Sequence, residues 1–399
     1  MMRILLVGNY KLDNQSSMLR YAEMLREKLS FRGHHVEIIQ PEPRFGHLVS
    51  HEFIRKWLRY IDKYLLFPRR LRARSAAFDV IHVCDHSNSM YLRHTGSCPA
   101  SITCHDLLAI DSARGRYPEQ NISFTGKVLQ QWILKSLLRG RYIVCVSENT
   151  AEELQALSQG AMPNVSVIPN PVVFHDSPAP AEDVIRLRDR LGLAEGDFYL
   201  LHVGGNQWYK NRIGVLRIFR LLLDLRRSMG APEPRLVMAG KEWTPRMRDF
   251  VRENRLEYYV VESTEPSDEE LRTLYSGAAA LLFPSLYEGF GWPLIEAQSC
   301  GCPVITSNRP PMTEVAGDSA LYIDPADERA AAAQIAEALD RLYLLREGGF
   351  RNIERFSLDR IVPAYESFFK AVAEGSVPQR KPLIPENEVV SKDRNLHDS

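Results

Sequence analysis

The sequence predicts an α/β protein built from two doubly wound, Rossmann-like parallel sheets, and three observations carry that expectation. A chain of 399 residues exceeds what one hydrophobic core organises, so two domains of similar size are expected. Short apolar runs alternate with amphipathic stretches of helical length in both halves, the pattern of β-α-β units whose strands are covered on both faces. Glycine-rich loops then follow strand-like runs in the second half, at Gly204-Gly205 and at Gly289 to Gly291, each opening a helix.

In the first half, Arg3 to Val7 reads as a buried strand, followed by a helix from about Met18 to Ser30 and a strand from Gly33 to Ile39. The loop before that helix lacks G-x-G-x-x-G, so a dinucleotide fingerprint is absent. Ser16 and Ser17 are placed to cap the helix, or to offer N–H and hydroxyl groups to an anion on the acceptor side. From Phe53 to Arg74, Arg55, Lys56, Arg59, Lys63, Arg69, Arg70, Arg72 and Arg74 alternate with aromatic and aliphatic residues. A basic amphipathic helix of this kind can lie on an anionic membrane surface. The favoured reading is a core-facing helix with a solvated basic face.

Strands follow at Asp79 to Val83, ending in Asp85-His-Ser-Asn88, and at Ala100 to Cys104, ending in His105-Asp106. A histidine at the carboxyl end of a parallel strand can donate to a hydroxyl or phosphate, or shuttle a proton, although most such residues merely belong to a loop. A helix from Phe124 to Leu138, a strand from Tyr142 to Val146, a helix capped by Ser147 and a strand from Val165 to Ile168 complete the first domain, 1–175. Asp176 to Pro180 reads as a linker.

The second domain, 195–357, begins with the strand Phe198 to Val203. Its loop, Gly204 to Asn211, carries Lys210 and leads to Arg212 at a helix start. Free N–H groups, a helix dipole and two cations together make a diphosphate cradle. Strands at Arg235 to Ala239 and Tyr258 to Val261 and a helix from Asp268 to Tyr275 lead to the most informative stretch, Phe283 to Thr306. An apolar run stops at Pro284, and a loop holds Glu288, Gly289, Phe290 and Gly291. A helix then opens near Trp292-Pro293, carries Glu296 and ends at Gly301. The loop and helix start suit an anion, whereas carboxylates suit hydroxyls. Phosphate with several hydroxyls describes a sugar nucleotide. Helices at Glu328 to Arg346 and Leu358 to Ala373 follow, and the polar tail 379–399 is expected to be disordered.

Composition excludes several classes. Fifty basic residues balance fifty acidic ones, so charge gives no case for nucleic acid. Ile4 to Val7 is too short an apolar run for a signal peptide, and no run approaches a transmembrane helix. Cys84, Cys104 and Cys145 lie in strand-like runs, and Cys98, Cys300 and Cys302 at loop edges, the arrangement of reduced thiols rather than zinc ligands or disulfides. A cytoplasmic protein is expected, with contact at the inner face of the membrane through 53–74 left open.

Glu288 and Glu296 form E-x7-E within Phe-Pro-Ser-x-x-Glu-Gly-Phe-Gly-x-Pro-x-x-Glu-Ala. With Lys210-Asn211, His105-Asp106, Val146-Ser147, Ile168-Pro-Asn170 and Glu314-Val-Ala-Gly317, this frame resembles the group 1 glycosyltransferases, glycosyltransferase family 4. The resemblance spans roughly Met1 to Phe369, strongest in the second half. It implies a GT-B fold, with two Rossmann-like domains facing a central cleft and the helix at about 358–375 returning to the first. It implies retaining transfer of a hexose of mannose or glucose type, from a GDP- or UDP-linked donor to a glycan, lipid-linked or small-molecule acceptor.

By the same resemblance, Glu288 meets the donor sugar, Glu296 the ribose, and Lys210 the diphosphate. Main-chain N–H groups from Phe290 to Trp292 meet the distal phosphate and the sugar. His105 faces the reacting sugar, and Ser307 to Arg309 and Glu314 border the donor. Two departures stand out. Asn14-Gln-Ser-Ser17 replaces the Gly-Gly pair of many relatives, and Asn206-Gln-Trp-Tyr209 replaces the stretch that carries an Arg before the Lys. The chain has no D-x-D motif, so neither a metal nor any other cofactor is expected and cationic side chains must stabilise the leaving diphosphate. Retention can proceed by front-face attack, the favoured route, or by double displacement through Glu288. A sugar-nucleotide epimerase and a non-catalytic nucleotide-sugar-binding protein are the alternatives.

Overall fold

The computed structural model describes residues 1–13, 15–45, 52–158, 164–173, 177–194 and 196–377. Asn14, Asp176 and the tail 379–399 lie outside the described residues, as do the side chains of Ser16, Phe53, Arg55 and Lys56. Two six-stranded parallel sheets form the framework. The first comprises β1 (Arg3–Val7), β2 (His35–Ile39), β3 (Val80–Val83), β4 (Ala100–Cys104), β5 (Tyr142–Cys145) and β6 (Asn164–Val167), in the order β2-β1-β3-β4-β5-β6. The second comprises β7 (Tyr199–Gly204), β8 (Arg235–Gly240), β9 (Val260–Thr264), β10 (Ala280–Phe283), β11 (Val304–Ser307) and β12 (Ala320–Ile323), in the order β12-β11-β10-β7-β8-β9.

The strands are apolar on both faces because both faces are covered. Ile4, Leu5, Leu6 and Val7 are all buried, and so are Leu281, Leu282 and Phe283. In each sheet the strand order reverses next to the first strand of its domain, between β1 and β3 and between β7 and β10. Such a reversal opens a crevice at the carboxyl ends of the strands, where doubly wound sheets take their ligands.

The helix Leu358–Ala373 packs on the first sheet. Its Ile361, Tyr365, Phe368 and Phe369 share one apolar cluster with Ile4, Leu6, Leu25 and Val80. Each such buried aromatic contributes about 1.5–3 kcal/mol relative to exposure. Arg32 and His34 anchor the same helix through Glu366, at 2.7 and 2.8 Å.

Two helices depart from the sequence expectation. The basic segment forms Glu52–Ile61, a π-helical turn Asp62–Leu66, and Phe67–Ser75. The widened turn falls where Asp62 is buried, accepting from Tyr10 at 3.0 Å and from the Phe45 amide at 3.1 Å. The segment expected as one helix from Glu328 to Arg346 narrows after Ala338 into a 3₁₀ stretch, Leu339–Leu345. There Leu339 and Leu342 are both buried, at the three-residue spacing that a 3₁₀ helix eclipses on one face. The helix Pro245–Glu253 was legible but unassigned, since Thr244 caps it from the position before a proline. Among the described residues, no helix is long and apolar enough to cross a membrane.

Candidate active site

β7 and β10 are neighbours, with Leu201 paired to Leu281, so the loops that leave them emerge side by side at the crevice of the second sheet. The two loops are tied together. The Leu286 amide donates to the Tyr209 carbonyl at 2.7 Å, and the Asn211 side chain donates to the Pro284 carbonyl at 3.0 Å. From this frame Lys210 Nζ reaches both oxygens of Glu288, at 2.8 and 2.9 Å. Glu288 is only 7 % exposed, so the pair lies largely out of water. The ammonium also stands 5.3 Å from the centre of the Phe283 ring.

Past Glu288 the chain turns through Gly289, Phe290 and Gly291 into the helix Trp292–Ser299. Gly291 adopts φ 95° at the helix cap, a conformation that a Cβ disfavours. Phe290 is core, its ring 5.6 Å from that of Phe356. Trp292 begins the helix, with its indole N–H buried and without a partner. One turn further, Glu296 accepts from the Tyr275 hydroxyl at 2.9 Å. Burial raises the Glu296 carboxyl to about 7, against the opposing hydrogen bond from Tyr275. Tyr275 carries no motif, and only the fold brings it to Glu296.

Gly204 ends β7, Gly205 follows, and the helix Arg212–Ser228 begins beyond Asn211. Arg212 is buried, and its Nη1 donates to Asn206 Oδ1 at 2.5 Å and to the Lys241 carbonyl at 2.7 Å. Its Nε and Nη2 are buried without partners, and burial lowers its pKa. Arg212 is thus held in the frame of the loop, while Lys210 is directed at Glu288.

The first sheet meets this loop directly. A Cβ on Gly289 would lie 1.9 Å from the His105 carbonyl oxygen, so only glycine permits the approach. The Gly289 carbonyl accepts from Ser147 Oγ at 2.9 Å and Thr150 Oγ1 at 3.3 Å. His105 Nε2 donates to the Cys84 carbonyl at 2.8 Å, which leaves Nδ1 as the acceptor. Burial lowers the pKa of His105, so the ring is neutral at pH 7. Asp106 accepts from the Leu108 amide at 3.0 Å and is occupied in holding its own turn.

The remaining candidates have these partners, and one reading, the cap, is corrected. Ser16 and Ser17 do not occupy the cap position of their helix. The helix begins at Ser16, Gln15 stands at the cap with its side chain accepting from Asn9 rather than capping the helix, and Ser17 is exposed. Glu314 reaches across to the first domain, accepting from the Glu148 amide at 2.9 and 3.0 Å and the Asn149 amide at 3.3 Å. It caps the helix Glu148–Ser158 from outside, a role invisible in local sequence because 166 residues separate the partners. Ser307 donates to the Ser285 carbonyl at 2.6 Å, and Arg309 pairs with Asp324 at 3.0 Å. Sequence reasoning also missed a buried network below His105, in which Asp85 accepts from Asn9 at 2.5 Å and from the Ser87 amide at 2.9 Å.

Residues 18–174 match the family described as Glycosyltransferase Family 4, and residues 183–345 match the family described as Glycosyl transferases group 1. The chain is 29% identical over 291 residues to O-antigen chain mannosyltransferase B of Escherichia coli, covering 72% of this chain and 73% of the other. It is 29% identical over 230 residues to O-antigen chain mannosyltransferase RfbU of Salmonella typhimurium, covering 57% of this chain and 58% of that protein. Among solved structures, sucrose-phosphate synthase from Thermosynechococcus elongatus superposes with a TM-score of 0.73 at 19% identity, over 94% of this chain and all of the other. HepE from Anabaena, in complex with UDP and glucose, superposes with a TM-score of 0.69 at 16% identity, over 93% of this chain and all of the other. Both are likenesses of fold.

Proposed function

The chain belongs to the group 1 glycosyltransferases, and from that premise we propose that it moves a hexose of mannose type from a nucleoside diphosphate sugar to a glycan or lipid-linked acceptor, with retention and without a metal. The names of the two relatives, both O-antigen chain mannosyltransferases, support mannose and a glycan acceptor. The nucleotide bound to HepE supports a nucleoside diphosphate.

One observation carries the reading: an ammonium and a carboxylate, 2.8 Å apart, at the strand-order reversal of the second sheet, in a loop that packs on His105. A donor divides that pair. Its diphosphate oxygens take Lys210 and the free N–H groups where helices begin at Arg212 and Trp292. Its sugar hydroxyls take Glu288, and its ribose takes Glu296. As the glycosidic bond breaks, charge grows on the leaving phosphate, where each preorganised donor is worth about 3 kcal/mol. With Glu288 occupied by the sugar hydroxyls, front-face attack is favoured over double displacement, the leaving phosphate taking the acceptor's proton. His105, neutral, offers its Nδ1 lone pair or its carbonyl to the sugar from the opposite domain.

The test incubates the chain with GDP-mannose, GDP-glucose, UDP-glucose and UDP-galactose and follows hydrolysis and transfer by NMR. Retained anomeric configuration and full activity in EDTA are expected. Inverted product, or a requirement for divalent metal, would refute the mechanism. A product that remains attached to its nucleotide would favour the epimerase.

We also propose peripheral contact with the inner face of the membrane. Ile54, Trp57, Ile61 and Leu65 are exposed at helical spacing, on a segment that also carries the exposed Arg69 and Arg72. Co-sedimentation with phosphatidylglycerol vesicles, lost in a Trp57→Glu/Ile61→Glu variant, is the expected outcome; equal sedimentation of the variant refutes the contact.

A further inference from the structure

At the rim of the cleft, aromatic rings from both domains meet. Tyr117, from the loop after the helix Leu108–Ala113 of the first domain, lies 5.4 Å from Trp208 and 5.7 Å from Tyr287 of the second, centre to centre. Trp208 also stands 5.9 Å from Tyr209, edge to face. Trp208 and Tyr209 immediately precede Lys210, at positions where the resemblance leads one to expect an arginine.

None of these positions is free to drift. The bond from the Leu286 amide holds the Tyr209 backbone. Tyr287 is fixed at its hydroxyl, which donates to Glu153 at 2.8 Å and accepts from the Leu107 amide at 3.3 Å. Trp208, Tyr209 and Tyr117 are half-buried, Tyr287 behind them is buried, and none of the four joins a core cluster. Yet the Trp208 indole N–H is buried without a hydrogen-bond partner. A buried donor left unpaired costs about 1–3 kcal/mol, so its persistence calls for a reason.

We propose that Tyr117, Trp208 and Tyr287 form a subsite for a pyranose ring of the acceptor glycan; the proposal rests on the glycosyltransferase reading above. A pyranose has an apolar C–H face and a rim of hydroxyls. Aromatic faces take the first. The indole N–H, Glu153 and Arg116, which stacks on Tyr117 at 5.7 Å, take the second. Because Tyr117 and Trp208 come from opposite domains, the subsite is complete only when the cleft is closed, next to the loop that holds Lys210. The acceptor then enters beside the donor phosphates and not from the far end of the cleft.

The test uses the full chain loaded with GDP or UDP, whichever binds, and methyl α-D-mannopyranoside, methyl α-D-glucopyranoside and methyl α-D-galactopyranoside as probes, read by saturation-transfer NMR. Calorimetry gives the nucleotide Kd in parallel. At least one glycoside binds the wild-type chain. Tyr117→Ala and Trp208→Ala weaken that binding about tenfold, the size of one lost aromatic contact. The loss in glycoside binding exceeds any loss in nucleotide binding. Tyr117→Phe keeps the ring and binds as wild type; Trp208→Phe keeps a ring without the N–H and falls between.

Binding of no glycoside by the wild-type chain, or equal binding by the alanine variants, overturns the subsite. So does a fall in nucleotide affinity that matches the fall in glycoside affinity, which would make the cluster a closure device only. Failure of the wild-type chain to bind either nucleotide would instead refute the glycosyltransferase reading, and the subsite with it.

Discussion

The two crevices of this molecule are built alike and treated differently. Each lies where strand order reverses, at β1/β3 in one sheet and at β7/β10 in the other. In the first, Asp85 is 3 % exposed and closed in by its own neighbours, with Asn9 at 2.5 Å and Ser87 Oγ at 2.7 Å. Burial pushes its carboxyl up, but the neighbouring His86 and His105 imidazoles and the Ser87 bonds outweigh this, so it stays below the usual carboxylate range. In the second, among the described residues, Glu288 is hydrogen-bonded by the Lys210 side chain alone, and the loops around it offer helix starts. One crevice has satisfied its charge internally; the other keeps opposite charges together where a ligand of both characters can separate them.

The largest expected effect breaks the second crevice. Lys210→Ala and Glu288→Ala should each lower kcat/KM for donor turnover by about 10²–10³, as for loss of a preorganised donor. The double variant should lose much less than the product of the two, because each single change already strips the other residue of its partner. Multiplicative losses in initial-rate assays would show that the two act separately.

Gly289→Ala comes next. Its Cβ cannot lie 1.9 Å from the His105 carbonyl, so the loop must retreat from the first domain. A misplacement near 1 Å costs about 10²-fold in turnover. Nucleotide affinity, measured alongside, should change much less, since the second sheet is intact.

Asp85→Ala sharpens the contrast from the other side. It removes the acceptor of the buried Asn9 amide and of Ser87, at about 1–3 kcal/mol, and should lower the melting temperature by several degrees. A nucleotide Kd that worsens more than the melting temperature would give Asp85 a ligand-binding part.

A smaller effect comes from Glu296, whose carboxyl is raised to about 7 by burial. Ribose hydroxyls donate to its ionised form, so nucleotide binding should strengthen as pH rises through about 7 and weaken at most tenfold per unit below it. Glu296→Gln, which cannot ionise, should flatten the titration. Last, Glu314→Ala removes a cap worth about 1 kcal/mol across the cleft, and turnover should fall only about fivefold.

The fold class and the strands were legible because a strand covered on both faces announces itself as an unbroken apolar run, as in Ile4 to Val7. The residue types of the second crevice were legible as well, in the glycine loops and the two glutamates. Their pairing was not: Lys210 and Glu288 are 78 residues apart, and only the adjacency of β7 and β10 joins them. The same holds for Glu314 at its distant helix and for Tyr275 at Glu296. Helix interiors were read more easily than their breaks, because the π turn at Asp62 answers to a tertiary partner, Tyr10, and not to local spacing.

The chain crosses between its halves twice, once after β6 and once ahead of the helix Leu358–Ala373. Close to these crossings, the Val172 amide donates to the Phe356 carbonyl at 2.9 Å. Two strips of backbone joined side by side behave as the spine of a book. The covers can swing about it, but they resist sliding past each other or twisting apart. Any swing of the two halves about this joint would retrace one arc and return Gly289 to the same place on His105.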